Sequence, residues 1–270
     1  MKMVVLVENS SRCRLCAEHG LSVYIEYEGK TYLLDTGATA LFAENAKELG
    51  IDLSKVDTAF LSHAHYDHAN GMEKFFEINR KAPFYLQEGC GENCYFKKGF
   101  IRKYIGIPKG ITKKYQDRIK YVSGVYTVAD GIYLVSHSTP HLEQIGKKEM
   151  MYQKTKLGWK PDNFCHEQSL VLDTDGGLVI FNSCSHGGVV NIINEVKAAF
   201  PNKKITALIG GFHIFKHPEA EIRELAKLIK ETGIERIYTG HCSKERGYRI
   251  LREELGDMAG QFYVEMELVF

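Results

Sequence analysis

The sequence predicts a mixed α/β fold, in which short strands alternate with helices along all 270 residues. Two observations carry this prediction. Short β-rich stretches are separated by turn residues, and longer stretches with apolar residues at helical spacing have Gly or Pro at their ends. No change of composition and no linker interrupts the chain, so we expect one domain over residues 1–270.

The predicted strands differ in their patterns of apolar residues. The turn signal Asp175-Gly176-Gly177 joins two of them in a hairpin. Residues 205–209 are continuously apolar, as in a strand whose sheet is covered on both faces. The strands predicted in this way are residues 3–7, 21–27, 31–35, 58–62, 169–173, 178–181, 205–209 and 236–239.

Three helices are predicted between these strands. Residues 40–49 are followed by a glycine, and residues 189–200 are followed by Pro201. Residues 218–232 form the clearest helix, because Pro218 stands near its start and Gly233 follows its end. Its apolar residues also fall on one face.

The composition excludes several classes of protein. The charges nearly cancel, with 35 Lys and Arg against 34 Asp and Glu, which argues against a general nucleic-acid binder. Charges interrupt the apolar stretches before they could span a bilayer, and residues 1–7 are too short for a signal peptide. We therefore expect a cytoplasmic protein with no membrane segment. The 7 Cys are irregularly spaced, so metal chemistry is a better expectation than a disulfide framework.

Polar side chains are concentrated where predicted strands end. They are Asp35, His63, Cys184, His213 and His241. Open α/β sheets place their sites at strand ends, because loops converge there on a rigid support. The five residues are therefore expected to lie close together.

The segment His63-Ala64-His65-Tyr66-Asp67-His68 directly follows a predicted buried strand. Imidazole nitrogen and carboxylate oxygen are ligands of zinc, iron and manganese. In an extended segment His63 and His65 point to the same side and can bind one ion, while Asp67 and His68 lie one step further along, in position for a second ion. A histidine-rich surface loop is the weaker alternative, because the adjoining strand and the later strand-end histidines match a site.

This His-x-His-x-Asp-His pattern resembles the signature of the metallo-β-lactamase superfamily. The resemblance implies an αβ/βα sandwich that carries one or two metal ions. Further segments look like one branch, named after an archaeal dihydropterin–ribofuranosylaminobenzene-phosphate synthase of methanopterin biosynthesis. These segments are Glu18-His19-Gly20-Leu21-Ser22, Leu33-Leu34-Asp35-Thr36-Gly37, Ser183-Cys184-Ser185-His186-Gly187-Gly188, Gly210-Gly211-Phe212-His213 and Thr239-Gly240-His241-Cys242.

The resemblance also implies which residues hold the metal ions. The implied ligands are His63, His65 and a later histidine for a first ion, and Asp67, His68 and His241 for a second. We expect the later histidine to be His186, with His166 as the alternative. Two divalent ions are expected, with zinc as the first choice and iron or manganese as alternatives.

Cys184 and Asp35 are expected to assist this site in different ways. Cys184 stands where most of the superfamily has a metal-bridging Asp, and a thiolate ligand there would favour zinc over manganese. A cysteine that is merely buried beside the site is the alternative. Asp35 is expected to orient the metal loop rather than to react, and an Asx-turn that closes the strand is compatible with that role.

Several other residues are candidates for catalysis or for structural roles. His213 either contacts the substrate, as a proton donor to the leaving group, or packs near the metals, and Asp67 is expected to position the attacking hydroxide. His137 and His141 are expected to be structural or to line the pocket rim. Cys13-x-x-Cys16 has no partner at zinc-finger spacing except Cys90 and Cys94, so ordinary reduced cysteines are expected, with a second zinc site as the alternative.

Residues 97–120 contain nine Lys and Arg against one acidic residue, Asp117, and aromatic residues are interleaved with them. A second basic stretch, residues 147–160, contains the single tryptophan, Trp159. We interpret the first stretch as a basic lid around residues 88–121 that binds an anionic substrate through Lys113 and Lys114. A solvated helix face is the alternative.

These inferences predict a metal-dependent hydrolase of a small anionic, phosphate-bearing substrate such as a phosphodiester, acting through a metal-bound hydroxide. A pterin-linked synthase and a non-catalytic metal-binding protein are the alternatives. A nuclease is less expected, because such relatives generally carry further nucleic-acid-binding domains. A homo-oligomer is left open.

Overall fold

Eighteen strands and eight α-helices alternate along the chain in a computed structural model that describes residues 1–270. The strands are β1 (Lys2–Val7), β2 (Ser22–Tyr27), β3 (Lys30–Leu34), β4 (Thr58–Phe60), β5 (Phe84–Gln87), β6 (Cys94–Lys98), β7 (Ile101–Tyr104), β8 (Ile119–Val122), β9 (Val125–Ala129), β10 (Ile132–Ser136), β11 (Met151–Thr155), β12 (Gly158–Pro161), β13 (Gln168–Thr174), β14 (Gly177–Phe181), β15 (Ile205–Ile209), β16 (Arg236–Thr239), β17 (Ala259–Gln261) and β18 (Glu267–Val269). The helices are α1 (Leu41–Glu48), α2 (Tyr66–Ala69), α3 (Met72–Ile78), α4 (Ile111–Lys114), α5 (Glu143–Lys148), α6 (Val189–Ala199), α7 (Glu219–Glu231) and α8 (Lys244–Leu255).

Two seven-stranded sheets pack face to face. The first has the strand order β18-β1-β2-β3-β4-β5-β8, and the second has the order β17-β16-β15-β14-β13-β10-β9. Along β1, Met3 and Val5 join the core between the sheets, whereas Val4 and Leu6 join the core beneath the helices. This alternation follows from the period of two in a strand, and it makes both faces of the sheet apolar.

Helices cover the outer face of each sheet. Residues of α1 and α3 pack on the first sheet, and residues of α6, α7 and α8 pack on the second. The layers therefore run helix, sheet, sheet, helix, and the predicted α/β class and αβ/βα sandwich are confirmed. The protein contains no helix with the length and hydrophobicity that crossing a bilayer requires.

The predicted elements of the two large sheets are all present. Strands β15 and β16 have the predicted bounds, and the other predicted strands and helices differ by one or two residues at their ends, as frayed ends commonly do. Helix α8 was not predicted from the sequence, although Ile250, Leu251 and Leu255 form a buried face on it.

A third sheet of four strands, in the order β12-β11-β6-β7, contains part of residues 88–121, the predicted basic lid. Residues 88–121 contribute to two sheets, because β8 belongs to the first sheet, whereas β6 and β7 form a hairpin in which β6 also pairs with β11. The alternation of basic and aromatic residues reflects this pairing. The ring centroids of Tyr95 and Trp159 are 5.0 Å apart, and the Arg102 guanidinium lies 5.3 Å from the centroid of the Trp159 ring. The solvated helix face is therefore wrong for most of the segment.

His137, after β10, forms buried ion pairs that hold the loop between β14 and α6. Its Nδ1 lies 2.9 Å from Glu195 and its Nε2 lies 2.5 Å from Glu167. Glu167 in turn accepts hydrogen bonds from the backbone N–H groups of His186 and Gly187. His137 is thus structural, whereas the side chain of His141 is exposed.

Replacing His137 tests this arrangement. Burial lowers the pKa of His137, but its contacts with Glu167 and Glu195 outweigh burial and raise the pKa to about 10. The pKa of His137 in the folded protein exceeds the unfolded value of about 6.5. Charged His137 therefore stabilises the fold fully below pH 6.5, and this contribution is lost as the pH rises toward 10. We expect His137→Gln to lower the free energy of unfolding by about 3–5 kcal/mol at pH 6, and by less at pH 10.

Urea unfolding of both proteins at pH 6, 8 and 10 measures this difference. His141→Gln is the matched control, since it removes an exposed histidine that is 3.4 Å from Glu143 and should change stability by less than about 0.5 kcal/mol. A difference between the native protein and His137→Gln that grows with pH would contradict the assignment.

Candidate metal centre

The histidine motif begins at the end of β4 and continues into α2. His63 and His65 lie in the loop, with His65 in an extended conformation, and Asp67 and His68 lie in the first turn of α2. All four side chains are buried. The change from strand to helix within a few residues turns them toward the loops that follow β14 and β16.

The first group of candidate ligands is His63, His65 and His186, which each contribute a ring nitrogen to a cluster less than 4.8 Å across. Nε2 of His63, Nε2 of His65 and both ring nitrogens of His186 are buried and have no hydrogen-bond partner. Burial lowers the pKa of His65 to about 3 and holds those of His63 and His186 well below the usual value. The rings are therefore neutral, with free lone pairs.

These nitrogens fit a divalent cation. A buried polar atom without a partner is costly, and native structures rarely contain one without a reason. Three such atoms converging on one point are explained by a shared ligand, and neutral imidazoles are the form that binds zinc.

His166, the alternative ligand, is placed differently. Its Nδ1 accepts a hydrogen bond from the backbone N–H of Ala64 at 3.2 Å, and its Nε2 lies 3.1 Å from the Asp162 carboxylate. Both nitrogens are therefore engaged within the protein. Its ring packs against that of His65, with 5.3 Å between centroids, so His166 lies behind the first group rather than in it.

The second group is Asp67, His68, His241 and Cys184. Nε2 of His68 lies 3.2 Å from Nε2 of His241 and 3.4 Å from Sγ of Cys184. Oδ2 of Asp67 lies 3.5 Å from Nε2 of His241 and 3.9 Å from that of His68. Zn–N distances of about 2.0–2.1 Å put tetrahedral ligand atoms roughly 3.3 Å apart, so these separations suit one ion.

The outer nitrogens of these two histidines are held by other side chains. Nδ1 of His68 donates to Asp35 at 2.8 Å, and Nδ1 of His241 donates to Oδ1 of Asn9 at 3.0 Å. On neutral rings this leaves an Nε2 lone pair on each, directed at the other. Two lone pairs at 3.2 Å repel each other unless a cation or proton lies between them, which again fits a metal ion.

Asp35 is fully buried at the end of β3, in a left-handed backbone conformation with φ +58°. Besides His68, its carboxylate accepts hydrogen bonds from the backbone N–H and hydroxyl of Ser62, both at 2.7 Å, and from the hydroxyl of Ser183 at 2.6 Å. It thereby joins the loop that carries the histidine motif, residues 61–65, to the loop after β14. The structure places Asp35 beside the ligands, not among them.

Cys184 lies between the two groups. Its Sγ forms one cluster with His63 and His68 and another with His186 and His213, each less than 4.8 Å across. A thiolate at this position is close to both candidate ions, as a bridging carboxylate would be.

Cys242 was missed by the sequence analysis as a site residue. Its Sγ clusters with Cys184 and His241 within 4.8 Å and accepts a hydrogen bond from the backbone N–H of His213. The available signal was its position directly after His241. Gly211 makes room for it, because a Cβ there would lie 2.4 Å from the sulfur.

A cavity of about 440 Å³ opens above the second group. His213 lies in its wall, with Nε2 3.7 Å from the Glu149 carboxylate. Burial lowers the pKa of His213, but contacts with Cys242 and Glu149 outweigh burial and raise it to about 9. The cavity lining also includes Tyr66, Phe96, Phe215, Lys103, Lys216 and Lys244.

The structure places Lys113 and Lys114, the predicted substrate-binding lysines, outside the cavity lining. Both are exposed on α4, and Lys114 forms an ion pair with Glu73. Lys103 of the same basic stretch does line the cavity. Sequence alone could not separate these lysines, because only the β6–β7 hairpin is folded over the cavity.

The Cys-x-x-Cys pair lies apart from the ligand clusters described above. Cys13 and Cys16 are exposed thiols, whereas Cys90 and Cys94 are buried. Cys94 lies in a buried cluster with His65, Asp162 and His166, behind the first group.

Comparison with known proteins agrees with this geometry. Residues 17–146 match the family model of the metallo-β-lactamase superfamily. The chain is 29% identical to the 7,8-dihydropterin-6-methyl-4-(β-D-ribofuranosyl)-aminobenzene-5′-phosphate synthase of Methanocaldococcus jannaschii, over 88% of this chain and 85% of that protein.

Two solved structures show the same fold. The crystal structure of Tm1679, a metal-dependent hydrolase of the β-lactamase superfamily, is 27% identical and superimposes with a TM-score of 0.85 over 100% of this chain and 99% of that chain. A diphosphatase from the PhnP family is 16% identical, with a TM-score of 0.58 over 100% and 97% of the two chains, and shows similarity of fold. The histidine motif, the four-layered sandwich and these matches together show that the chain has the metallo-β-lactamase fold, with residues 17–146 similar to the metallo-β-lactamase superfamily.

Proposed function

We propose that the protein is a metal-dependent hydrolase that holds two zinc ions and cleaves small phosphate esters, foremost phosphodiesters. The observation that carries this proposal is the pair of adjacent ligand groups, the first with unpartnered buried ring nitrogens, beside a cavity lined by three lysines. The similarity to a metal-dependent hydrolase of the β-lactamase superfamily supports it.

Two sets of residues would hold the ions. His63, His65 and His186 would bind the first, and Asp67, His68 and His241 the second, with Cys184 between them. This mixture of nitrogen, oxygen and sulfur ligands suits zinc better than manganese. When bound, the ions would supply Lewis acidity, which favours deprotonation of water near neutral pH and neutralises charge on the substrate.

The side chains around the ions would orient and protonate the reactants. Asp67, whose Oδ2 lies 3.2 Å from His19, would accept a hydrogen bond from the attacking water. His213 would donate a proton to the leaving oxygen, while Glu149 at 3.7 Å orients its ring. Lys103 and Lys216 would bind the anionic part of the substrate, and Tyr66, Phe96 and Phe215 would exclude water from it.

A pterin-linked synthase is a second candidate, because the relative from Methanocaldococcus jannaschii carries that name. The same cavity, with aromatic side chains and lysines, would then hold a pterin and a phosphate. Retention of a fluorescent pterin by the purified protein would favour this function over hydrolysis.

The two-ion assignment predicts the metal content of variants. We expect the zinc-reconstituted protein to hold two ions per chain, and His186→Gln to hold about one, because the first group loses a ligand. His166→Gln is the matched control and should retain two, since both His166 nitrogens are already engaged. Elemental analysis after gel filtration measures this, and a His186→Gln protein that keeps two ions would contradict the assignment.

The substrate class is tested with the zinc-loaded protein on a panel of phosphodiesters, phosphomonoesters, lactones and pterins. We expect the highest kcat/KM for phosphodiesters. Replacing Lys103 and Lys216 together by Gln should raise KM roughly tenfold, since two exposed charges each contribute about 0.2–1 kcal/mol. Replacing Lys113 and Lys114 by Gln removes the same charge outside the cavity and should leave KM unchanged.

The two lysine pairs distinguish specific from general attraction. Equal KM shifts in both double variants would mean that only net charge matters, which would remove the assignment of Lys103 and Lys216. No hydrolysis of any phosphate ester by protein that holds two ions would overturn the proposed function.

A further inference from the structure

A second cavity of about 330 Å³ adjoins the 440 Å³ cavity above the second ligand group, which we call the metal cavity. His186, His213 and Glu149 line both cavities, so the two cavities meet at these side chains. We call the second cavity the rear lobe. Its apolar lining consists of Ile145, Val189, Phe212, Ile214, Leu225 and Leu228.

The apolar lining of the rear lobe comes from three helices and one loop. Ile145 lies on α5, Val189 begins α6, and Leu225 and Leu228 lie on α7. Leu228 remains 40% exposed. Apolar side chains facing a cavity that adjoins a reaction site are typical of a binding site for part of a substrate.

Charges at the rear lobe largely neutralise each other. Glu221 lies 3.6 Å from Lys148 and 3.3 Å from His217, and Glu224 lies 3.0 Å from Lys227. The metal cavity, by contrast, is lined by Lys103 and Lys216. An anionic group therefore has a favourable environment in the metal cavity and none in the rear lobe.

Ser185 gives the rear lobe one polar contact. The residue is 2% exposed and lines the lobe, yet its hydroxyl has no hydrogen-bond partner. Leaving a buried hydroxyl unpaired is costly, and a neutral oxygen or nitrogen of a ligand would pair with it. The ring nitrogens of His213, which lines both cavities, also have no hydrogen-bond partner, although Nε2 lies 3.7 Å from the Glu149 carboxylate.

From this arrangement we infer that the rear lobe binds an uncharged, apolar arm of the same substrate whose anionic group occupies the metal cavity. The inference rests on the proposed function and narrows it to unsymmetrical phosphate esters, with an aromatic or branched alkyl arm that carries one neutral polar atom. An internal cavity of about 150 Å³ suffices to bind benzene, so the rear lobe has room for a ring with a short chain.

The experiment compares two non-hydrolysable probes on the zinc-loaded, full-length protein by calorimetric titration. Methylphosphonate fills the anionic position alone, and 4-phenylbutylphosphonate adds an apolar arm. We expect the longer probe to bind at least tenfold more tightly. In Leu228→Glu this gain should fall below about twofold, because a carboxylate then faces the lobe.

Two further variants decide where the arm lies. Leu157→Glu introduces the same charge at a leucine that is 92% exposed in the β11–β12 turn, and it should keep the full gain. Phe215→Ala shortens an aromatic side chain of the metal cavity. If the longer probe still binds more tightly in Leu228→Glu, or loses this advantage only in Phe215→Ala, the arm lies in the metal cavity and the inference is overturned.

The outcomes also separate this inference from the proposed function. If the protein hydrolyses phosphodiesters but the tighter binding of the longer probe does not depend on Leu228, the assignment of the rear lobe is refuted and the proposed function stands. Failure of both probes to bind would contradict the anion site itself, and with it both the function and the inference.

Discussion

The buried carboxylate of Asp35 is the interaction on which the rest of the site depends. It stands at the end of β3 in the first sheet, yet it accepts a hydrogen bond from Ser183 at the end of β14 in the second sheet. It also fixes the motif loop through Ser62 and orients the ring of His68. One group therefore sets the position of both strand ends and the direction of a candidate ligand. Such supporting contacts fix ring orientation and tune ligand basicity in metal sites.

The same sandwich explains why the cavities lie side by side. The loops after β14, β15 and β16 bring Cys184, His213 and His241 to one edge, and the four-stranded sheet places Phe96 and Lys103 in the lining of the metal cavity. Glu167, held by His137, fixes the backbone of His186. The fold thus holds in place the residues at which a lysine-containing cavity meets an apolar one. This separation of charge from apolar surface is the basis for expecting an unsymmetrical substrate.

Local patterns in the sequence predicted eight of the fourteen strands of the two large sheets, β1–β4 and β13–β16, and the cluster of strand-end residues. Residues 205–209 and 236–239 are strands with the predicted bounds. In residues 205–209 the apolar run between turn signals leaves few alternatives to a strand. Lys113 and Lys114 were indistinguishable from Lys103 by charge, and only the pairing of β6 with β11 separates them. Cys242 and Glu167 were missed because their roles also arise from contacts between residues far apart in the sequence. Cys242 contacts Cys184, 58 residues away, and Glu167 contacts His137, 30 residues away.

The zinc affinity of Asp35→Asn tests the central claim most directly, measured by competition with a chromophoric chelator on protein shown to be folded by circular dichroism. The amide cannot accept from Ser62, Ser183 and His68 together, so the account predicts a 10–100-fold loss of affinity at the weaker site. Asp57→Asn is the matched control, because Asp57 accepts a hydrogen bond from the backbone of Thr31 and precedes β4, at the opposite end of that strand from His63. This variant should bind zinc as the native protein does. Unchanged zinc affinity in Asp35→Asn would contradict the claim that this carboxylate organises the metal centre.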